Sequence, residues 1–453
     1  MDAWARQEMV GAVLPDRRYL ESVTCIVERL AEAGGASYSQ ALGHGGRQAA
    51  RRLFKNPTTT VDGLLQGHYE QTAARCSRHS LVLAVQDTTT LSYTAHRSKT
   101  GLGPVDPSGK ARGMLAHSVL ALSPEGQPLG LLDVALWVRD DSGAKVSEKR
   151  RSRVTEEKES HKWIRGLQRA QQHVPPAVQV LMVQDREGDV FAFFAAKRRS
   201  NVHLLVRAAQ PRNVLIPGDD AGERRNLLDA AASAPEVASI TVTVPRQANR
   251  TERNAVLTVR STCATVLPPR NQTVEKHPPQ DVYLVNALET NPPEGETPLH
   301  WVVLTTMPAV TPEAACQMLR FYALRWTIER LHYVLKSGCG VERVQIDEPH
   351  RLRNALAIYF MVAWRLLAIT YMARTAPDTP ADTILSSDEA QVLAAATNRP
   401  VRTVAEAVLA IAILGGHEHY RNAPPPGPKR LWLGIRKLEA ITLGWIHATN
   451  NGT

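Results

Sequence analysis

Tyr322 to Gly338, YALRWTIERLHYVLKSG, reads at 3.6 residues per turn as one helix with two faces. Tyr322, Arg325, Glu329 and Lys336 follow at steps of three, four and seven. That puts a phenol, a guanidinium, a carboxylate and an ammonium on one side. Leu324, Ile328, Leu331 and Leu335 form an apolar stripe that must be buried. Two further carboxylates end apolar, β-prone runs: Asp87 closes Leu81 to Gln86 in LVLAVQDTTTLSY, and Asp185 closes the run from Val178 in VQVLMVQDREGDVFAFF. A carboxylate just past a buried strand lies at the rim of a sheet. Two such rims faced by a helical Glu give three hard oxygen ligands for Mg2+ or Mn2+, the equipment of two-metal phosphoryl transfer. Each piece alone has a plainer reading. The helix face can be a solvated surface with an Arg/Glu pair, and a strand-end Asp can be a turn former or helix cap.

These residues need a large scaffold, and the chain supplies one. Its 453 residues can bury a sizeable core in two to four structural units. A formal charge of +10 and a pI near 9.5 favour an acidic partner such as a long polyphosphate, although a basic protein without such a partner has the same balance. Five scattered cysteines with no C-x-x-C read as reduced thiols, with neither a disulfide framework nor a zinc site. MDAWARQEMV lacks the apolar core of a signal peptide. The membrane-like run Ala355 to Ala373 carries Arg365 at its centre and reads as a buried helix, so no membrane partner is expected. SGKARG at Ser108 to Gly113 does not match a Walker loop, and no nucleotide cofactor is indicated.

Residues up to about 75 read as helices. One begins after Asp16 and ends at Gly34 and Gly35, and a second follows Gly46 with Arg47, Arg51, Arg52 and Lys55 unopposed by any acid before Asp62. Those cations can track phosphates or form a solvated face. Strands follow at Leu81 to Gln86, Leu115 to Leu122 and Leu129 to Val138, then a charged helix from about Glu156 to His173 and the strand of Asp185. Between Asp185 and Glu329 the runs Ile240 to Val244, Ala255 to Val259 and Val282 to Ala287 indicate a β-rich insertion. After Gly338 the pattern is helical: Ala355 to Arg374, Asp388 to Asn398, a stripe of Val404, Val408 and Ile411, and a last segment with Leu431, Ile435, Leu438, Ile441 and Leu443.

The motif Tyr322-x-x-Arg325-x-x-x-Glu329 with Lys336 beyond it, together with VQDTTTLSY and QDREGD, resembles the signature of the insertion-sequence-four family of cut-and-paste DDE transposases, the group of the Tn-five type enzyme. NPPEGETPLHWVVLTT, KESHKW, the late LGG and RLWLGIRKLEAI extend the resemblance over nearly the whole chain. The resemblance implies an α/β fold: a ribonuclease-H-like mixed-sheet core at 76–210 and 301–375, a β-rich insertion at 211–300, a helical DNA-binding domain at 1–75 and a helical dimerisation domain at 376–453. It implies that Asp87, Asp185 and Glu329 hold two Mg2+ ions, for which Mn2+ can substitute. Trp301 matches the residue that receives a flipped base, while Arg207, Tyr322, Arg325 and Lys336 match those near the terminal phosphates. Arg47, Arg51 and Arg52 fall in the domain that grips end DNA. The implied partners are double-stranded DNA and a second copy in a synaptic homodimer, in a bacterial cytoplasm. A ribonuclease-H-like nuclease and a catalytically silent DNA-binding relative remain as alternatives.

Overall fold

The computed structural model describes residues 3–33, 38–96, 98–140, 159–220, 222–244, 253–269, 277–420, 423 and 425–450. Gly34, Gly35 and the Glu156 to Lys158 start of the expected charged helix lie outside the described residues. In chain order the elements are α1 (Ala3–Met9), α2 (Tyr19–Glu32), α3 (Tyr38–Ala41), α4 (His44–Lys55), α5 (Val61–Cys76), β1 (Leu81–Ser92), β2 (Gly103–Pro104), β3 (Arg112–Leu122) and β4 (Pro128–Trp137). Then come α6 (His161–His173), β5 (Gln179–Gln184), α7 (Phe191–Ala195), β6 (Val202–Arg207), β7 (Asn213–Leu215), β8 (Arg225–Asn226), α8 (Leu227–Ser233), β9 (Glu236–Val244), β10 (Arg253–Val266), β11 (Gln280–Glu289) and β12 (His300–Thr305). The rest is helical: α9 (Pro312–Ala323), α10 (Trp326–Tyr333), α11 (Pro349–Thr375), α12 (Ser387–Thr397), α13 (Val404–Leu414) and α14 (Pro428–Asn450).

The chain divides into two compact units. One holds 1–78, 88–143 and 327–453, and the other holds 79–87 and 144–326. Strand β1 runs through both, changing unit after Asp87.

In the first unit β3 pairs antiparallel with β4, and nearly every residue of both is buried. α11 supplies the main apolar helix: it is long and apolar enough to cross a membrane, yet its most apolar window is 83% buried in protein. Its Arg365, read from sequence as an obstacle to a span, sits 5.3 Å from the Trp4 ring and donates to the Thr383 carbonyl. Capping boxes start α12 at Ser386/Glu389 and α13 at Thr403/Glu406. The apolar face of α14 departs from expectation. Leu431 and Leu438 are buried, but the face continues to buried Thr442, leaving Ile441 and Leu443 each 42% exposed, because 442 and not 441 or 443 falls four residues after 438.

α1, α5, α11 and β4 meet at a buried polar knot. His68 Nε2 accepts the Leu131 N–H, which makes its Nδ1 the protonated nitrogen that donates to Glu8 at 2.6 Å. Arg75 donates to both Glu8 oxygens, at 2.6 and 3.2 Å, and stacks 4.5 Å from the Trp364 ring. Burial acts to raise the Glu8 carboxyl, but the hydrogen bonds from His68 and Arg75 and the Arg75 charge outweigh it and hold it down at about 2. Burial likewise keeps His68 below its ordinary value.

In the second unit the strand order is β1, β5, β6, β12, β11, β10, β7, β8, with β9 on β10. β1, β5 and β6 are parallel neighbours, and the rest pair antiparallel. β1 and β5 are adjacent, Leu81 to Val85 pairing with Gln179 to Val183. The strands that follow β6 in sequence share its sheet, because the apolar β12 pairs with β6 on one side and β11 on the other.

Two expectations need correction. The apolar run ending at Gln86 predicts Asp87 past the end of its strand, but β1 extends to Ser92, since Thr88, Thr89 and Thr90 are β-branched and keep the backbone extended. What ends near Asp87 is the pairing with β5. The single helix Tyr322 to Gly338 is broken. α9 stops at Ala323, the Arg325 N–H bonds to the Tyr322 carbonyl as in a 3-10 turn, and α10 restarts at Trp326. Val334 to Gly338 then forms a π turn, the Cys339 N–H reaching the Val334 carbonyl at 2.8 Å. The stripe of Tyr322, Arg325, Glu329 and Lys336 is thus not a continuous face of one α-helix. The apolar stripe is nevertheless buried at Ile328, Leu331 and Leu335.

Candidate active site

The aspartates of the second unit are matched by register. Val85 lies opposite Val183 in the parallel pair, and each chain segment places Gln and then Asp directly after it. Both carboxylates therefore emerge at the same rim, two residues past the last paired position. Gln86 Nε2 donates to Gln184 Oε1 at 2.7 Å, both side chains being fully buried. Gln184 Nε2 donates in turn to the Gly188 carbonyl at 2.5 Å. This amide bridge fixes the two strand ends relative to each other, and Gly188 has no room for a side chain, since a Cβ there would lie 2.4 Å from Gln184.

Replacing Gln184 by Leu removes from the interior both the acceptor of Gln86 Nε2 and the donor to the Gly188 carbonyl. The expected loss is about 1–3 kcal/mol in denaturant unfolding; an unchanged midpoint would remove the bridge from the account.

Asp185 carries out the capping role as well. Its Oδ1 accepts the Glu187 N–H at 2.9 Å, stabilising the 3-10 turn Arg186–Gly188. Asp87 Oδ2 lies 3.9 Å from Arg325 Nη1, an ion pair too long for a hydrogen bond. Arg325 is 9% exposed and Tyr322 5% exposed, so neither belongs to an open solvated face. The Tyr322 ring stands edge-on to Trp301 at 5.7 Å and 67°. Arg207, opposite Val303 at the end of β6, donates from Nη2 to the His300 carbonyl at 3.0 Å. Burial first, then Arg207 and Arg186, hold the His300 imidazole below its ordinary value, marking a locally positive edge.

The first unit holds Glu329 and Lys336. Glu329 is partly buried on α10, whose inner side carries Ile328, Leu331 and His332. His332 Nε2 lies 2.9 Å from the Ser118 hydroxyl, and burial followed by the Lys336 charge pushes it down to about 3. Arg47, Arg51 and Arg52 lie on α4, and all three are exposed. Arg47 and Arg51 line a cavity of about 210 Å³ together with Tyr38, Arg343, Gln345 and Arg351. Arg47 Nη1 also donates to the Ser39 carbonyl at 2.8 Å, and Arg351 pairs with Glu348 at 3.2 Å.

Sequence reading missed Arg343 and Arg351, which lie some 300 residues after α4 and carry no local signal. It also missed the glutamine bridge. Its signal is the repeated Val-Gln-Asp at 85–87 and 183–185, an amide where an apolar strand would otherwise be uninterrupted.

Oxygen-only donors at a sheet rim suit a hard divalent cation. Among the described residues no group of three or more His, Cys, Asp or Glu converges closely enough to hold one. The Asp87 and Asp185 pair is the part of the expected donor set that lies within one unit.

A mixed α/β sheet with aspartates side by side at the rim of parallel strands is compatible with the ribonuclease-H-like core of transposases. Residues 139–365, half of the chain, match the family described as a transposase DDE domain, and the chain belongs to that family. Membership carries a role in DNA transposition, DNA as substrate and the family's general use of divalent metal ions. The matched span includes Asp185, Glu329, Trp301, Tyr322 and Arg325, while Asp87 and the α4 arginines precede it.

Proposed function

We propose that the protein is a cut-and-paste transposase of the insertion-sequence-four, Tn-five-like group, which binds the terminal inverted repeats of its element, excises it through a hairpin intermediate and joins the 3′ ends to target DNA. The observation that carries the reading is the matched pair Asp87 and Asp185, locked by the Gln86–Gln184 bridge, in a chain of the DDE family. Asp87, Asp185 and Glu329 would hold two Mg2+ ions, with Mn2+ as a substitute. Bound there, the ions supply charge stabilisation for in-line displacement at phosphorus.

The chain's own groups do the positioning. Trp301, edge-on to the Tyr322 ring, offers an aromatic face that compensates a base leaving the stack when the end is bent into a hairpin, and the Tyr322 hydroxyl falls to a phosphate nearby. Arg207, Arg325 and Lys336 neutralise phosphates beside it. Asp87 and Arg325 restrain each other until DNA arrives, since the same guanidinium suits a phosphate better than a carboxylate 3.9 Å away. The helical C-terminal region would dimerise two end-bound copies, and the reaction would take place in a bacterial cytoplasm.

The four-arginine cavity supports end binding by α4. Arg47→Ala and Arg51→Ala are expected to weaken duplex binding, and each is expected to lower the slope of log affinity against log salt by about one. Titration by fluorescence anisotropy at several salt concentrations checks this. An unchanged slope in both variants would remove α4 from the DNA interface. Cleavage of end-containing duplex tests the reading as a whole: metal-dependent cutting without joined or hairpin product makes the protein a nuclease, and binding without cutting makes it a silent relative.

A further inference from the structure

The QDREGD segment ends in a carboxylate to which the chemistry above gives no part. Asp189 is 2% exposed and Arg212 8% exposed, and they form a buried ion pair within the second unit. Asp189 Oδ2 accepts the N–H groups of Ala209 and Gln210 at 2.7 and 2.8 Å. Arg212 Nη2 donates to Asp189 Oδ1 and, at 2.7 Å, to the Asp189 carbonyl. The guanidinium lies 5.5 Å from the Phe194 ring and 6.0 Å from that of Phe191, which keeps water from the pair.

With both oxygens engaged inside the protein, this carboxylate serves neither as a ligand nor as an acid. It joins two segments instead. Upstream, Asp189 follows Gly188, whose carbonyl is held by Gln184, and closes the turn that begins at Asp185. Downstream, Ala209 is two residues past Arg207, and the Ala208 N–H bonds to the Val302 carbonyl at 2.8 Å. The Asp185 turn and the Arg207 end of β6 are thereby fixed to each other through one buried group.

We propose that Asp189 is a positioning residue that sets the spacing between Asp185 and Arg207 against the phosphate backbone of bound DNA. Arg212 anchors it, and the two backbone N–H groups transmit its position. The proposal rests on the transposase reading.

The test is single-turnover cleavage of a duplex carrying the sequences that flank the gene, in Mg2+ and at saturating protein, with end affinity measured separately by gel shift. Wild type, Asp189→Ala, Arg207→Ala and the double variant are compared. Asp189→Ala is expected to slow cleavage on the order of 10- to 100-fold with end affinity retained, as follows from a displaced contact at a reacting centre. In the Arg207→Ala background the additional slowing is expected to vanish, because residues acting through one another are not additive. Unslowed cleavage, or losses that multiply in the double variant, would overturn the proposal. If Asp189→Ala fails to fold, Arg212→Gln takes its place: it keeps both backbone bonds and removes the anchor, and wild-type cleavage by it overturns the proposal equally. A wild-type protein that cuts none of these duplexes overturns the transposase reading, and this inference with it. An active wild type with an equally active Asp189→Ala overturns this inference alone.

Discussion

Asp185→Asn is expected to lower strand cleavage by at least about 10³-fold while leaving end binding nearly intact, because several kcal/mol of charge stabilisation at phosphorus would depend on that carboxylate. The substitution is nearly isosteric. The amide oxygen that takes the place of Asp185 Oδ1 can still accept the Glu187 N–H, a bond of 2.9 Å in the wild type, so the 3-10 turn should survive. Asp87→Asn is expected to behave alike, with one addition: the Arg325 guanidinium 3.9 Å away loses this counter-charge and engages phosphate more readily. Single-turnover kinetics and a gel shift on the same preparations separate the two effects. Cleavage within tenfold of wild type in either variant would remove that aspartate from the centre.

Glu8→Ala is expected to destabilise the first unit by about 3–5 kcal/mol, since it leaves the partly buried Arg75 guanidinium without its carboxylate. The His68 Nδ1–H also loses its acceptor in a fully buried site. Acid should reproduce part of this loss. Glu8 is held at about 2 in the fold against 4.5 ordinarily, so its contribution is present above about 4.5 and fades as pH falls towards 2. His68 is depressed from 6.5, so below that value the unfolded chain takes up a proton that the folded chain refuses. Both terms make stability fall on acidification, first around 6.5 and again below 4.5. Denaturant unfolding at about pH 7.5, 5.5 and 3, the last inside the Glu8 window, checks the profile; a Glu8→Ala loss under about 1 kcal/mol, or stability independent of pH, contradicts it.

Periodicity and composition made much of this legible. The apolar runs of β1, β3, β4 and β5 marked strands because their residues are β-branched or aliphatic and end at polar punctuation. The buried stripe of Ile328, Leu331 and Leu335 survived even though its helix is not continuous. Spacing could not reveal the interruption at Leu324 and Arg325, because no glycine or proline marks it and the break is a change from i−4 to i−3 bonding. The π turn at Val334–Gly338 is equally silent in sequence. Strand pairing of β12 with β6 is a contact across about 100 residues, which local pattern cannot encode. The same holds for the site. Asp87 and Asp185 stood out by their place after apolar runs, whereas Asp189, in the same motif, could not be told from a catalytic carboxylate until Arg212 and the Ala209 and Gln210 N–H groups were seen to occupy both its oxygens.

We propose that this chain cuts and joins DNA ends through its carboxylates. The most direct test is a labelled duplex carrying the sequences that flank the gene, incubated with Mg2+ or with EDTA and resolved on a denaturing gel. A nick at the element end followed by a hairpin of doubled strand length, in Mg2+ alone and absent with Asp185→Asn, is the predicted result. Retention of the duplex uncut in Mg2+, or cutting that persists in EDTA, would contradict the account.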